Sequence, residues 1–318
     1  MPIYVHSPSY RVDIGAHVFP TAKYDLLRER LAAEGGCRFV EPERASDEEI
    51  LSVHEPHYYE ACRDSTLTFD QQLRMELPWS PALFDAACRC VRGSIMAARL
   101  AIDHGAGLHI GGGFHHAFAG HGEGFCVFND PACAIRKMQA EERIERALVV
   151  DVDLHQGNGT AAIFADDSSV DTFSIHQGPL YPYPKPPSTV DVDLDPGTDD
   201  DTYLDLLDRH LVPLLEKSEP ELCVYVAGAD PYRDDQLGAL ALTIEGLRRR
   251  DAFVTDLCAA RDLPMMVVLA GGYARSVDDT VTIHLGTFHE AARLWRKASE
   301  ASPGPASSAP SATETDGR

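Results

Sequence analysis

Residues 147–164 read ALVVDVDLHQGNGTAAIF. The opening apolar run, 147–153, does not alternate with polar residues, as expected of a strand covered on both faces. Three other segments share that character: 170–176, 222–230 (LCVYVAGAD) and 265–273 (MMVVLAGGY). Helix-period segments lie between them, for example 203–217 (YLDLLDRHLVPLLEK). Strand–helix alternation predicts an α/β fold, an open and mostly parallel sheet with helices on both faces. A first strand is expected at 2–6 and a helix at 23–33. Ser46-x-x-Glu49 has the form of a capping box. Phe84, Ala87, Cys88, Val91, Ile95, Ala98 and Ile102 recur at steps of one helical face. Residues 64–81 show weak periodicity and are expected to form a flap or lid. The folded part is expected to be one domain, 1–296. The Ser/Ala/Pro-rich remainder, 297–318, reads as a disordered tail.

The chain has 318 residues, with 28 Lys+Arg against 50 Asp+Glu, a formal net charge of −22. Such a surface repels phosphate backbones, which argues against general nucleic-acid binding; it reads first as a solubility device and second as favouring cationic partners. No run of about 18 apolar residues occurs and the first residues lack a signal-peptide pattern, so no membrane span is expected. Eight cysteines without a C-x-x-C pair read as reduced thiols, consistent with a cytoplasmic protein.

Ligands of open α/β sheets bind outside the carboxyl ends of the strands. The 147–153 strand delivers Asp151, Asp153 and His155 there, and the 222–230 strand ends in Gly228-Ala-Asp230. The 265–273 strand ends in Gly271-Gly272-Tyr273, and the stretch 108–116 ends in three glycines, Phe114, His115 and His116. Asp153 and His155, two apart, face one side of an extended segment. With Asp230 they make an N/O ligand set that suits a catalytic zinc with one open position. His115 and His116 can serve as proton donor and acceptor near neutral pH, each needing a partner for its far nitrogen. Asp151 and Asn158 are the candidates.

In order along the chain, GGGFHHAFAGHGEGFCVFNDPACAI (111–135), VVDVDLHQGNGTAAIF (149–164), GAD (228–230) and LAGGY (269–273) resemble the motifs of the zinc-dependent histone deacetylase superfamily, over roughly 2–296. Segments 7–27 (SPSYRVDIGAHVFPTAKYDLL) and 67–81 (LTFDQQLRMELPWSP) are similar to class IV deacetylases and their bacterial counterparts. The resemblance implies the arginase/deacetylase fold with a metal site at the C-terminal ends of the strands. It implies zinc held by Asp153, His155 and Asp230, with Fe(II) as an alternative metal. His115 is then held by Asp151, and His116 is the general acid/base. Tyr273 donates its hydroxyl to the substrate carbonyl. Gly124 and Phe125 line an acyl-lysine channel, with Tyr181 or Tyr183 opposite and Gly271 and Gly272 nearby. A structural potassium is implied at Asp151 and the backbone near Asp153, His155 and Ser174-Ile175.

The expected reaction is hydrolysis of an acyl-lysine amide in a protein or peptide, with acetylated polyamines as the alternative substrate. A non-catalytic acyl-lysine binder is a more remote reading. The partner of the second histidine, often Asp, is here Asn158, which lends no charge to an imidazolium and makes His116 less basic. Segment 177–190 departs from the glycine-rich loop of many members. Arginase-type ureohydrolases need an acid two beyond His155, where this chain has Gly157. A serine hydrolase lacks its G-x-S-x-G. His54 and His57 are expected in a loop without metal, His17 at the surface or just behind the site, Cys126 as a buried apolar residue, and Trp79 and Trp295 in packing.

Overall fold

Apolar runs too short to fill a helix supply most of the strands, and shorter or alternating segments supply the edges. In this computed structural model, which describes residues 1–295, the strands are β1 (Ile3–Val5), β2 (Arg38–Val40), β3 (Ala106–His109), β4 (Ala147–Asp151), β5 (Val170–Gln177), β6 (Val190–Leu194), β7 (Leu222–Val226) and β8 (Met265–Val268). The eight form one sheet in the order β2-β1-β3-β8-β7-β4-β5-β6. Every pairing between them is parallel. All residues of β3, β4, β7 and β8 are buried, as the continuous apolar runs of the last three require.

Helices cover both faces. They are α1 (Lys23–Glu34), α2 (Asp47–Leu51), α3 (Pro56–Arg63), α4 (Phe69–Met75), α5 (Pro81–His104), α6 (Asp130–Ala140), α7 (Asn158–Phe164), α8 (Asp200–Ser218), α9 (Ile244–Ala259) and α10 (Val277–Ala291). The central helix α5 lies on β1, β3, β8 and β7 and packs against α6, which in turn meets α7. Helices α1, α10, α9 and α8 pack successively as a second layer. The expected periodic face is buried from Phe84 to Ala98 and half-buried at Ile102, and Gly105 ends α5 in a left-handed C-cap. Ser46 and Glu49 close their reciprocal box at the start of α2.

Several sequence expectations change in detail. The strands at 147, 222 and 265 stop at Asp151, Val226 and Val268, so Asp153, His155, Asp230 and Tyr273 stand on loops beyond them. Segment 64–81 contains α4, capped by Thr68 with Gln71, which gives the expected flap a helical part. His57 is not in a loop but in α3, and it is exposed. His54 precedes α3, is buried, and accepts the Asn129 N–H at 2.9 Å. The expected tail, 297–318, lies outside the described residues. Among those described, no helix is long and apolar enough to cross a membrane.

Candidate active site

Strands β3, β8, β7 and β4 are consecutive neighbours in the sheet. Their C-terminal loops therefore meet at one rim, and Asp151, Asp153, His155, Asp230, His115, His116 and Tyr273 arrive there. Asp153, His155 and Asp230 are all buried, and one ligating atom of each lies within 4.8 Å of the others. His155 Nδ1 is 3.2 Å from Asp153 Oδ1 and from Asp230 Oδ2. Asp230 Oδ2 is buried without a hydrogen-bond donor. Asp153 Oδ2 accepts the Gly271 N–H at 2.8 Å, and Asp230 Oδ1 accepts the Leu154 N–H at 3.0 Å. Two buried carboxylates and an imidazole, with one oxygen left unsatisfied, fit a divalent cation of the N/O-preferring type.

The glycines beside this cluster are spatial requirements. A Cβ on Gly271 would stand 2.2 Å from Asp230 Oδ2, and one on Gly157 would stand 2.4 Å from Asp151 Oδ2. The latter leaves no room for the acid that a second metal would need. Among the described residues Asp153, His155 and Asp230 are the one cluster of three or more His, Cys, Asp or Glu side chains spaced to hold a metal ion.

The two histidines have different partners. His115 Nδ1 donates to Asp151 Oδ2 at 2.6 Å. Burial lowers the basicity of His115, but the Asp151 and Asp153 carboxylates outweigh it and push its pKa up to about 9. His116 Nδ1 donates to Asn158 Oδ1 at 2.7 Å. Burial, followed by the charges of His115 and His155, holds His116 well below the ordinary histidine range. The rings lie 4.1 Å apart between centroids. One is thus disposed to carry charge and the other to stay neutral.

Above them opens a pocket of about 290 Å³ lined by Glu76, His116, Phe125, His155, Tyr181 and Tyr273, among others. Gly124 and Phe125 form the centre of a tight turn in which Glu123 and Cys126 exchange backbone hydrogen bonds of 3.0 and 2.8 Å. Both central residues are left-handed, at φ +50° and +67°, as in a type I′ turn. A left-handed Phe is strained, and its N–H is anchored to the Met75 carbonyl at 2.9 Å. Tyr181 faces Gly124 across the pocket, with its ring centroid 5.1 Å from that of His116. Tyr183 is 69% exposed and lies outside the pocket lining, so of the two tyrosines Tyr181 is the one at the pocket. Gly271 lies behind Tyr273 in a smaller inner cavity, while Gly272, at φ +138°, turns away toward Thr280 and His284. Of the pair, Gly271 is the one beside the pocket.

Several contributors escaped the sequence reading. Lys23 is wholly buried and donates to the carbonyls of Ala270 and Gly271 at 2.6 and 3.2 Å. Burial pushes its pKa down to about 8 despite Asp230 and Asp153 nearby. Asp235 Oδ2 accepts the Tyr273 N–H at 2.7 Å. Arg250, also buried, donates to Gly228 O at 2.8 Å and Val152 O at 3.3 Å, tying two ligand loops together. Asp130 receives the N–H groups of Gly113 and Phe114 and so fixes the backbone just before His115. Each acts through backbone geometry that residue spacing does not encode. His17 stands at the rim, with its ring 4.8 Å from that of Phe125.

Residues 17–288 match the family described as Histone deacetylase domain. The chain is 41% identical over 296 residues to an uncharacterized protein of Picosynechococcus, covering 91% of this chain and 97% of that one. It is 30% identical to Histone deacetylase 2 of Arabidopsis thaliana, covering 86% of this chain and 74% of the other. A probable deacetylase of Archaeoglobus fulgidus is 32% identical, with coverage of 79% and 73%. The crystal structure of an acetylpolyamine aminohydrolase from Burkholderia pseudomallei superposes with a TM-score of 0.76 at 21% identity, covering 92% of this chain and 99% of that one. That last likeness concerns the fold.

Proposed function

Since the chain belongs to the histone deacetylase domain family, we propose that it is a zinc-dependent hydrolase of acyl-lysine amides. The observation that carries this reading is the placement of the Asp153–His155–Asp230 cluster beneath a pocket bordered by His116 and Tyr273. Asp153, His155 and Asp230 would hold the metal. When bound there, a divalent cation supplies Lewis acidity toward an amide carbonyl and acidifies water. The same oxygen and nitrogen donors accommodate Fe(II). A structural potassium would sit against Asp151 and the backbone near Asp153, His155 and Ser174.

The residues of the chain supply the rest. His116, with its Nδ1 proton engaged by Asn158, offers Nε2 to take a proton from the attacking water. It returns that proton to the leaving amine. His115, held charged by Asp151, stabilises negative charge beside it. The Tyr273 hydroxyl donates to the carbonyl oxygen as it becomes an oxyanion. Phe125, on its anchored turn, and Tyr181 flank the alkyl chain of the substrate and keep water from its length.

The test is a deacylation assay with acetyl-lysine peptide, myristoyl-lysine peptide and acetylputrescine, run before and after metal removal and zinc re-addition. Metal-dependent release from a lysyl peptide supports the reading. A preference for acetylputrescine, a cation that the net charge of −22 would attract, moves the substrate to polyamines under the same mechanism. Zinc bound stoichiometrically with no turnover of any substrate overturns it in favour of a binder.

A further inference from the structure

We propose that Glu123 is a positioning residue for His116: acting through Asn158, it fixes which ring nitrogen of that histidine carries the proton. The inference deepens the hydrolase reading and rests on it for its activity arm. Asn158 Nδ2 donates to Glu123 Oε1 at 2.8 Å, while Asn158 Oδ1 accepts from His116 Nδ1 at 2.7 Å. Tyr181 also donates its hydroxyl to Glu123 Oε1, at 3.0 Å, and His121 Nε2 lies 3.4 Å from Oε2.

Donors and acceptors decide the tautomer. A side-chain amide can turn over, exchanging oxygen for nitrogen with almost no change in shape. If Asn158 presents its oxygen to His116, the proton must sit on Nδ1, and Nε2 keeps a free lone pair. If it presents its nitrogen, His116 must accept at Nδ1. A neutral ring then carries its proton on Nε2 and cannot act as a base there. Asn158 alone does not choose between these states. An ionised carboxylate has acceptors and no donor, so it admits only the nitrogen of Asn158. Burial raises the Glu123 carboxyl, but its contacts to His121, Asn158 and Tyr181 outweigh that and hold it below its ordinary range. Glu123 therefore selects the first state.

The placement of Glu123 also explains how Asn can stand where a direct carboxylate is often found. His115 has its carboxylate, Asp151, in direct contact; His116 has its own one amide further out. Glu123 belongs to the 123–126 turn, whose backbone carries Phe125, and it binds Tyr181 from the opposite wall. One carboxylate thus sets the proton of the base and the two sides of the pocket together.

The experiment compares wild type, Glu123→Gln, Asn158→Asp and the double variant, each with confirmed zinc content and melting temperature. Glu123→Gln supplies both a donor and an acceptor, so Asn158 loses its enforced orientation, and kcat should fall about tenfold to a hundredfold. Asn158→Asp faces two carboxylates toward each other and should also fall. In the double variant the new glutamine donates to the new aspartate, which still accepts from His116 Nδ1. Its kcat should recover above both single variants. A Glu123 that merely braces the turn predicts multiplied losses instead. Nitrogen-15 chemical shifts of His116 read the tautomer directly, in metal-free and zinc-loaded protein. They should report Nδ1–H in wild type and a mixture in Glu123→Gln. An unchanged tautomer in that variant, or a double variant as poor as the product of the singles, overturns the proposal. If wild type hydrolyses none of the substrates, the hydrolase reading fails while the tautomer comparison still decides the role of Glu123.

Discussion

Tyr273 is held by its backbone, through Asp235, and burial pushes its phenol well above the ordinary range. The hydroxyl therefore stays a donor at any working pH. A single preorganised donor to an oxyanion is worth about 2.7–4 kcal/mol. Tyr273→Phe should lower kcat about a hundredfold or more while leaving zinc content unchanged; an unaltered kcat would remove the hydroxyl from the reaction. His54 makes a different prediction. Burial pushes its pKa down to about 4, whereas in the unfolded chain it titrates near 6.5. Between those values the unfolded chain binds a proton that the folded chain refuses, so this contribution is present above pH ~6.5 and is lost as pH falls. Asp130, raised to about 6 by burial, acts with the opposite sign over part of the same window, so the difference between two proteins is the informative quantity. His54→Gln keeps an acceptor for the Asn129 N–H. The stability advantage of wild type over this variant should shrink by about 1.4 kcal/mol per pH unit between pH 6 and 4.5. Urea midpoints across that range measure it, and a pH-independent difference would show that His54 does not resist protonation.

At the scale of elements, the 123–126 turn puts a wall of the pocket on two left-handed residues. A Cβ on Gly124 would stand 2.6 Å from the Tyr181 hydroxyl and 2.9 Å from His116 Cδ2. Gly36 shares the left-handed backbone, at φ +70°, but would meet nothing within 4 Å. Gly36→Ala should therefore cost about 1–2 kcal/mol of stability and leave turnover alone. Gly124→Ala should carry that cost and also lower kcat/KM at least about tenfold, because it displaces His116, the proposed base, and the facing wall. Equal activity in the two variants would show that the pocket tolerates the added methyl. The same elements show what the sequence could reveal. Of the buried central strands, β3 (AGLH) carries no apolar run to read, whereas β4, β7 and β8 were legible because both faces are apolar and no alternation is needed. The edge strands were not: β2 is three residues long, and β6 alternates acidic and apolar side chains, VDVDL, behind two prolines. Val152, Leu154, Ala227 and Leu269 remain buried after the ladder stops, so apolar character alone extends each expected strand past its end. The site was legible because its side chains leave neighbouring parallel strands at the same rim. Lys23 and Glu123 were not, since the first is buried by a helix start and the second is aimed by a turn.

Over the whole molecule, folding brings Asp153 and Asp230 together in a site away from water, in a chain already carrying a net charge of −22. Burial, then the neighbouring Asp153, pushes the Asp230 carboxyl up to about 6. The buried ammonium of Lys23 offsets part of this acidity from behind, through the Ala270–Gly271 backbone. A cation bound by the folded chain alone adds stability of RT ln(1 + [L]/Kd), about 2.7 kcal/mol at a hundred times Kd. For a domain of this size that is roughly 5 °C in Tm. Metal removal should therefore lower the melting temperature by about that amount, and zinc at that excess should restore it. Asp230→Asn separates the two contributions. It removes one member of the like-charged pair, so the metal-free variant should melt at or above metal-free wild type. It also removes a proposed ligand, so zinc should no longer raise its Tm at the same concentration. Calorimetry of the two proteins with and without zinc gives all four values. If the variant responds to zinc as wild type does, the cation is held elsewhere; if it melts well below metal-free wild type, Asp230 stabilises the fold through its hydrogen bond to Leu154 more than its charge opposes it.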